Sequence, residues 1–338
     1  MLEGWKEAAL TVYILAAART PVGTLGGSLR TRSAVELGAA LLRGLLERCQ
    51  PGPGAVTAVI LGQAVQAGAG PNPALATALA AGLSPGVVGF TLNQGAASGL
   101  QAVIQAGLGL GDGLALAGGM ESASGAPYLL PSARWGTRMG SAPVLDALLQ
   151  DGPAGAAVAD RTRAWQAQQA GLLAQEILPL HLPRRNHPGF TLDRDDALAE
   201  PPTPGQGPAG PGDGAAALLL CPERLLGGRT PLARILGSAS GATGAQAIQH
   251  VLERAGLALA VVDRFELGPD IDPVPLGIAP GRLNQRGGAQ ALGDTPGADG
   301  ARMLVSLIQQ LRQDGCRYGL AALEAAPGFA LAMLLENS

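Results

Sequence analysis

From residue 11 to residue 117, short apolar runs alternate with longer runs of alanine and leucine, and that alternation restricts the chain to a wound α/β fold. Residues 11–17 are apolar and partly β-branched, as a strand should be. Residues 34–48 repeat leucine and alanine at helical spacing. Residues 56–65 read as a second strand, 73–81 as a helix and 89–93 as a third strand. Residues 98–108 read as a helix that is apolar nearly all round, so it belongs in the interior. Residues 113–117 form another strand. Strands alternating with helices imply βαβ units and a parallel sheet. The end of the chain repeats this order, with strand 232–238, helix 245–255, strand 264–267, helix 297–313 and closing strands 318–323 and 330–335. Ala215-Ala216-Ala217-Leu218-Leu219-Leu220 and Leu331-Ala332-Met333-Leu334-Leu335 hold the same place in each half, which implies internal duplication of one βαβ-based unit.

Composition decides how such a fold can pack. Hydrophobic residues make up 47% of the chain but aromatics only 3%, so the core depends on close approach of small side chains. The 338 residues correspond to about two domains of ordinary size. The middle breaks the pattern. Residues 121–138 are loop-like, and 161–176 read as one polar helix whose Arg161 and Arg163 face solvent. Residues 182–213 are rich in proline, glycine and charge, with 201–212 an exposed loop. Residues 214–221 return to a strongly apolar strand.

A net charge of -3 gives no support to a nucleic-acid binder. No run reaches the length of a membrane span. The apolar stretch 8–18 follows Glu3 and Glu7 and continues into Arg19, so it reads as a strand rather than a signal peptide, and the cytoplasm is the expected location. Cys49, Cys221 and Cys316 are odd in number and widely spaced, which indicates neither a disulfide framework nor a metal site. His181, His187 and His250 have no triad-like or ligand-like spacing.

The stretch Phe90-Thr91-Leu92-Asn93-Gln94-Gly95-Ala96-Ala97-Ser98-Gly99-Leu100 resembles the strand-to-helix turn that carries the nucleophilic cysteine of thiolases, Asn-x-x-Cys-Gly-Ser-Gly. The likeness is to the acetyl-CoA acetyltransferase and β-ketothiolase branch and spans nearly the whole chain. It runs through Ala17-Ala18-Arg19-Thr20-Pro21-Val22-Gly23, Asn72-Pro73-Ala74, and Ala117-Gly118-Gly119-Met120-Glu121-Ser122. It continues through Ala126-Pro127-Tyr128, Gly136-Thr137-Arg138-Met139-Gly140 and Thr230-Pro231-Leu232-Ala233-Arg234-Ile235. Gly287-Gly288-Ala289 and Gly300-Ala301-Arg302 complete it. The resemblance implies a duplicated five-layered α/β/α/β/α fold with a shortened inserted loop domain. Its expected division is an N-terminal half of 1–118 with 210–229, a loop domain of 119–209 and a C-terminal half of 230–338. It also implies coenzyme A as the ligand, in thioester form, and a dimer or a dimer of dimers. The partner is then a second copy or an active paralogue, with no nucleic acid and no membrane.

The chemical positions of the family are all altered. Its nucleophile falls at Ala96, and a methyl group cannot attack a thioester. Its Gly-His-Pro reads Gly293-Asp294-Thr295. The second cysteine falls at Glu324, and Asn-Glu-Ala-Phe begins at Gly268. A serine that touches coenzyme A falls at Ala209, although Asp213-Gly214 remains. The chain is several dozen residues shorter than usual, with losses in the loop domain and after Asp270. By the family's geometry, Asp294 and Glu324 face one cavity. There, either two carboxylates share a proton and supply a general acid, or charge has drifted into an abandoned site. Ser98 is expected to brace the helix rather than act as a nucleophile. Arg184 and Arg185 read either as an exposed pair or as a phosphate contact. The implied function is that of a thiolase-like protein without Claisen condensation or thiolysis, serving as a non-catalytic subunit or scaffold. The alternative is changed chemistry on an acyl thioester through Asp294 and Glu324.

Overall fold

Val12–Arg19 opens with valine and isoleucine, continues in small residues, and pairs antiparallel on both sides, with Gly212–Pro222 and with Ala233–Gly241. It is therefore the seam between the halves. The computed structural model describes residues 11–136, 139–152, 161–184, 187–203, 206–207 and 209–338. On one side of the seam the sheet continues from Gly212–Pro222 through Leu114–Ser122 and Val56–Gly62 to the edge strand Val88–Leu92. On the other it continues from Ala233–Gly241 through Phe329–Asn337 and Tyr318–Ala326 to Arg264–Leu267.

The two halves correspond strand for strand out to Val56–Gly62 and Arg264–Leu267. In both, the returning strand is antiparallel and only the outer pairs are parallel. The sheet is thus mixed, not parallel as the alternating pattern implies. The reason is that Phe329–Asn337 returns through a tight turn and Gly212–Pro222 returns after the long inserted segment, so neither closes a right-handed βαβ unit. Among the described residues the second half has no counterpart of the edge strand Val88–Leu92. The segment between Leu267 and Pro296 holds only short helical turns, so the shortening after Asp270 removes one strand-helix unit.

Five layers follow from where the apolar side chains go. Helices Ser98–Leu108 and Pro296–Asp314 share one core with strands of both halves. Ala34–Cys49 and Pro73–Ala80 cover the outer face of the first half, and Gly244–Ala255 covers that of the second. Low aromatic content is answered by near contact of backbones. A Cβ on Gly99 would lie 2.9 Å from Ala301 N, and one on Gly300 would lie 2.5 Å from Leu100 N. Glycine is required where the central helices cross.

The middle holds more structure than its composition suggests. The polar helix stops at Gln169 because Gly171 turns left-handed at φ 73°, and Leu173–Gln175 follows as a 3-10 turn. Leu180–Arg184 and His187–Leu192 form a hairpin whose Leu180, Leu182 and Leu192 are buried. Arg161 and Arg163 are half-buried rather than fully turned to solvent. Arg163 Nη1 donates to Leu283 O (2.8 Å) and Arg161 Nη2 to Ala197 O. Arg185 lies outside the described residues, as do Thr137 and Arg138 of the motif quoted above. Among the described residues no helix is long and apolar enough to cross a membrane.

Candidate functional site

The turn that carries Ala96 is built by its neighbours' hydrogen bonds. Strand Val88–Leu92 ends, Asn93 Oδ1 accepts from Gly95 N (3.0 Å), and Asn93 Nδ2 donates to Ala64 O (2.9 Å). Gly95 sits at φ 54°, which a glycine adopts without strain. Ser98 Oγ accepts from Gln94 N (2.8 Å) and donates to Gly95 O (2.6 Å). The serine is fully buried in bracing the turn, so its hydroxyl is committed to backbone groups. Ala96 is half-buried and packs against the central core. The end of strand Tyr318–Ala326 lies beside it: a Cβ on Gly95 would come 3.2 Å from Ala325 O.

Gly268 belongs to the same region. Its N–H donates to Ala322 O (2.8 Å), and a Cβ there would collide with Leu323 Cδ1. Glu324 is half-buried on that strand, but its Oε1 accepts from Gly244 N (2.8 Å). Gly244 is the first residue of helix Gly244–Ala255, whose unpaired N–H groups attract a carboxylate.

Asp294 lies at the entry to the other central helix. Its backbone is stitched to the segment next to Ala209. Asp294 N donates to Gly210 O and Gly212 N donates to Asp294 O, both at 2.8 Å. Desolvation pushes its carboxyl well above the usual range, and Asp299 pushes it in the same direction while Arg302 opposes them. Glu121 is a further anionic neighbour. Asp294 therefore lies against Asp299 and Arg302, while the Glu324 carboxylate is tied to a helix start. Thr295 Oγ1 donates to Asp299 Oδ1 (2.8 Å), and Arg302 Nη2 donates to the same oxygen (2.7 Å).

Glu121 joins the two helix entries. It is buried and accepts from Ala64 N (2.9 Å), Val65 N (3.2 Å) and Gly297 N (2.9 Å). Burial pushes its carboxyl up to about 7 against those three donors. This glutamate was visible as part of a motif, but its bridging role was not. The available signal was a charged side chain at the end of an otherwise apolar strand, Leu114–Ser122, all of it buried. Asp213 is likewise fully buried, held by Ser124 N (2.8 Å) and Ser124 Oγ (2.7 Å). Among the described residues no cluster of histidine, cysteine, aspartate and glutamate is arranged to hold a metal.

A duplicated five-layer fold whose two central helices begin at facing turns defines a thiolase-type body, and the chain belongs to the thiolase family. The model of the thiolase N-terminal domain matches residues 12–156, and that of the C-terminal domain matches 235–337. The chain is 33% identical over 391 aligned positions to an acetyl-CoA acetyltransferase of Chromobacterium violaceum, covering 97% of this chain and 100% of that one. It is 34% identical to an Escherichia coli acetyl-CoA acetyltransferase, covering 96% and 98%. Its structure is similar to that of the Bacillus anthracis acetyl-CoA acetyltransferase, with a TM-score of 0.87, 26% identity, and coverage of 98% and 100%.

Proposed function

We propose that this chain is a thiolase-fold protein that has given up Claisen condensation and thiolysis and serves in the cytoplasm as a non-catalytic subunit or scaffold. The observation that carries the reading is Ala96, a methyl group held at the start of a correctly braced turn. Acyl transfer needs a nucleophile, a base and oxyanion donors together. The first two family positions hold Ala96 and Asp294. The relatives are named as acetyltransferases, so the reading separates this chain from them in activity. The division into 1–118 with 210–229, 119–209 and 230–338 is part of this proposal. A coenzyme A thioester is the ligand to test.

One observation favours the alternative of changed chemistry. Desolvation, with the neighbouring Asp299 acting in the same direction, pushes the Asp294 carboxyl up to about 8, so it keeps its proton at neutral pH and supplies an acid where the family has a histidine. A single experiment separates the readings. Incubation with labelled acetyl-CoA, followed by mass measurement of the intact chain and by product analysis, is expected to give no acyl adduct and no turnover. A stable adduct overturns the proposal. Turnover without an adduct that disappears in Asp294→Asn supports the alternative.

Pairing is the second part of the proposal. Val88–Leu92 is a sheet edge, with Val88 63% and Phe90 42% exposed. An uncovered apolar edge offers backbone donors and acceptors to another strand. The partner is a second copy or an active paralogue. Light scattering of the purified chain is expected to give a dimer, and Phe90→Lys a monomer. A monomeric wild-type chain at every concentration refutes self-pairing.

A further inference from the structure

Helix Pro296–Asp314 is buried for most of its length, yet it carries Asp299, Arg302, Ser306 and Gln310 at spacings of three and four, on one face. The first two form one polar group: Arg302 Nη2 binds Asp299 Oδ1 (2.7 Å) and Gly293 O (3.3 Å). The last two form another: Gln310 Nε2 donates to Glu266 Oε1 (2.8 Å) and to Ser306 Oγ (3.3 Å). A cavity of about 10 Å³ lies on this face, lined by Glu176, Glu266, Arg286, Arg302, Met303 and Ser306 among others. All six side chains are buried. Gln310, which contacts two of the lining residues, has its Oε1 buried with no hydrogen-bond partner among the described residues.

We propose that this cavity is a single-water site that bridges Glu266 and Ser306 to the Arg286–Glu176 ion pair. Size and chemistry both select water. A buried water needs about 10–15 Å³ of room for its centre and roughly two to four polar partners. The walls offer carboxyl, hydroxyl and guanidinium groups, so donors and acceptors are both present. The volume excludes any organic ligand. Two guanidinium groups disfavour a cation and two carboxyl side chains disfavour an anion, whereas a neutral molecule that donates and accepts meets no such penalty. Burial pushes the Glu266 carboxyl up to about 7, so at and below neutral pH it offers the water an O–H donor. Arg286 also donates to Glu176 and to Gln313 Oε1. Through Glu176 the water joins the central helix to the inserted segment of the first half.

The test compares Ser306→Val with Ser306→Ala. Both lose the hydroxyl, and only valine fills the cavity. Displacing a water strips Glu266 and Arg286 of a partner, so valine is expected to melt several degrees below alanine. A dry void gains contacts when filled, so valine melting above alanine overturns the site. A high-resolution crystal structure of the unaltered chain decides independently of either variant. One density peak within hydrogen-bond distance of the Glu266 carboxyl is expected, and a featureless cavity overturns the proposal.

Discussion

Replacing Arg19 with methionine is expected to destabilise the fold by about 3–5 kcal/mol. Arg19 is fully buried, and its guanidinium answers two carboxylates at once. Nε donates to Glu176 Oε2 (2.9 Å), while Nη1 and Nη2 reach Asp195 Oδ1 and Oδ2 (2.7 and 2.9 Å). Both acids are buried as well. Methionine restores the volume of the stem but, among the described residues, leaves the Asp195 carboxylate with the Val22 N–H (2.8 Å) and Glu176 with Arg286. An uncompensated buried charge costs far more than a lost surface pair. The network matters because it fastens the inserted segment to the body of the first half. The backbone runs alongside it, with Arg19 N donating to Glu176 O and Leu178 N to Arg19 O. Arg19→Lys should fall between, since one ammonium cannot present two parallel donors to Asp195 while reaching Glu176. Urea unfolding followed by circular dichroism measures both. A methionine variant within about 1 kcal/mol of the original, inside the range of an ordinary surface change, would sink the argument.

What the sequence made legible, and what it hid, divides along physical lines. Strands and helices were readable because each has a local period. The internal duplication was readable because two apolar runs end the two halves in the same way. The helix at residues 98–108 was placed in the interior from its all-round apolarity, and it lies there. The identity of the site's neighbours was not local. Nothing in the chain near Asp294 says that Asp299 and Arg302 will fold back against it, one helical turn on. Nothing near Glu324 announces that a helix start at Gly244 will take its carboxylate. The facing of Asp294 and Glu324 into one cavity rests on the family's geometry; the partners each acid takes, Asp299 and Arg302 for one and the Gly244 N–H for the other, come from the folded chain alone. The mixed sheet was missed because direction depends on how Gly212–Pro222 re-enters, after the long insertion. The hairpin at 180–192 is hidden in the sequence because prolines and polar residues interrupt it, and its buried leucines, Leu180, Leu182 and Leu192, are too few to set a clear period.

The stability of this protein is expected to decline as pH rises from about 5 to 8, and Glu266 is expected to carry a large share of the decline. Glu266 is buried, and desolvation raises its carboxyl to about 7, with the Gln310 hydrogen bond opposing. Below its ordinary value, near 4.5, the group is protonated whether the chain is folded or not, and it costs nothing. Between there and about 7 the unfolded chain gives up the proton and the folded one keeps it. The folded state then binds more protons, so raising the pH favours unfolding. Above 7 the full difference is in place, about 3 kcal/mol for this group alone. Glu266→Gln removes the titration and keeps an oxygen that can accept from Gln310. It should match the original protein near pH 5 and exceed it at pH 8, with a flatter profile between. Glu121 provides the contrast. It is raised to a similar value, but both its oxygens accept backbone N–H groups, from Ala64 and Gly297 on one and Val65 on the other. An amide must turn an N–H toward one of these donors, so Glu121→Gln should destabilise at every pH. Glu36 and Glu336 are held below the usual range, Glu36 by the Ser33 backbone and Glu336 by Arg317 and Arg234 against partial burial. Both are more exposed, and their loss belongs to the acid side, below about pH 4. Chemical denaturation from pH 5 to pH 8 resolves the question. A profile that rises toward pH 8, or an unchanged slope in Glu266→Gln, would mean that the buried glutamate is ionised in the folded protein and that the neighbouring guanidinium groups outweigh its desolvation.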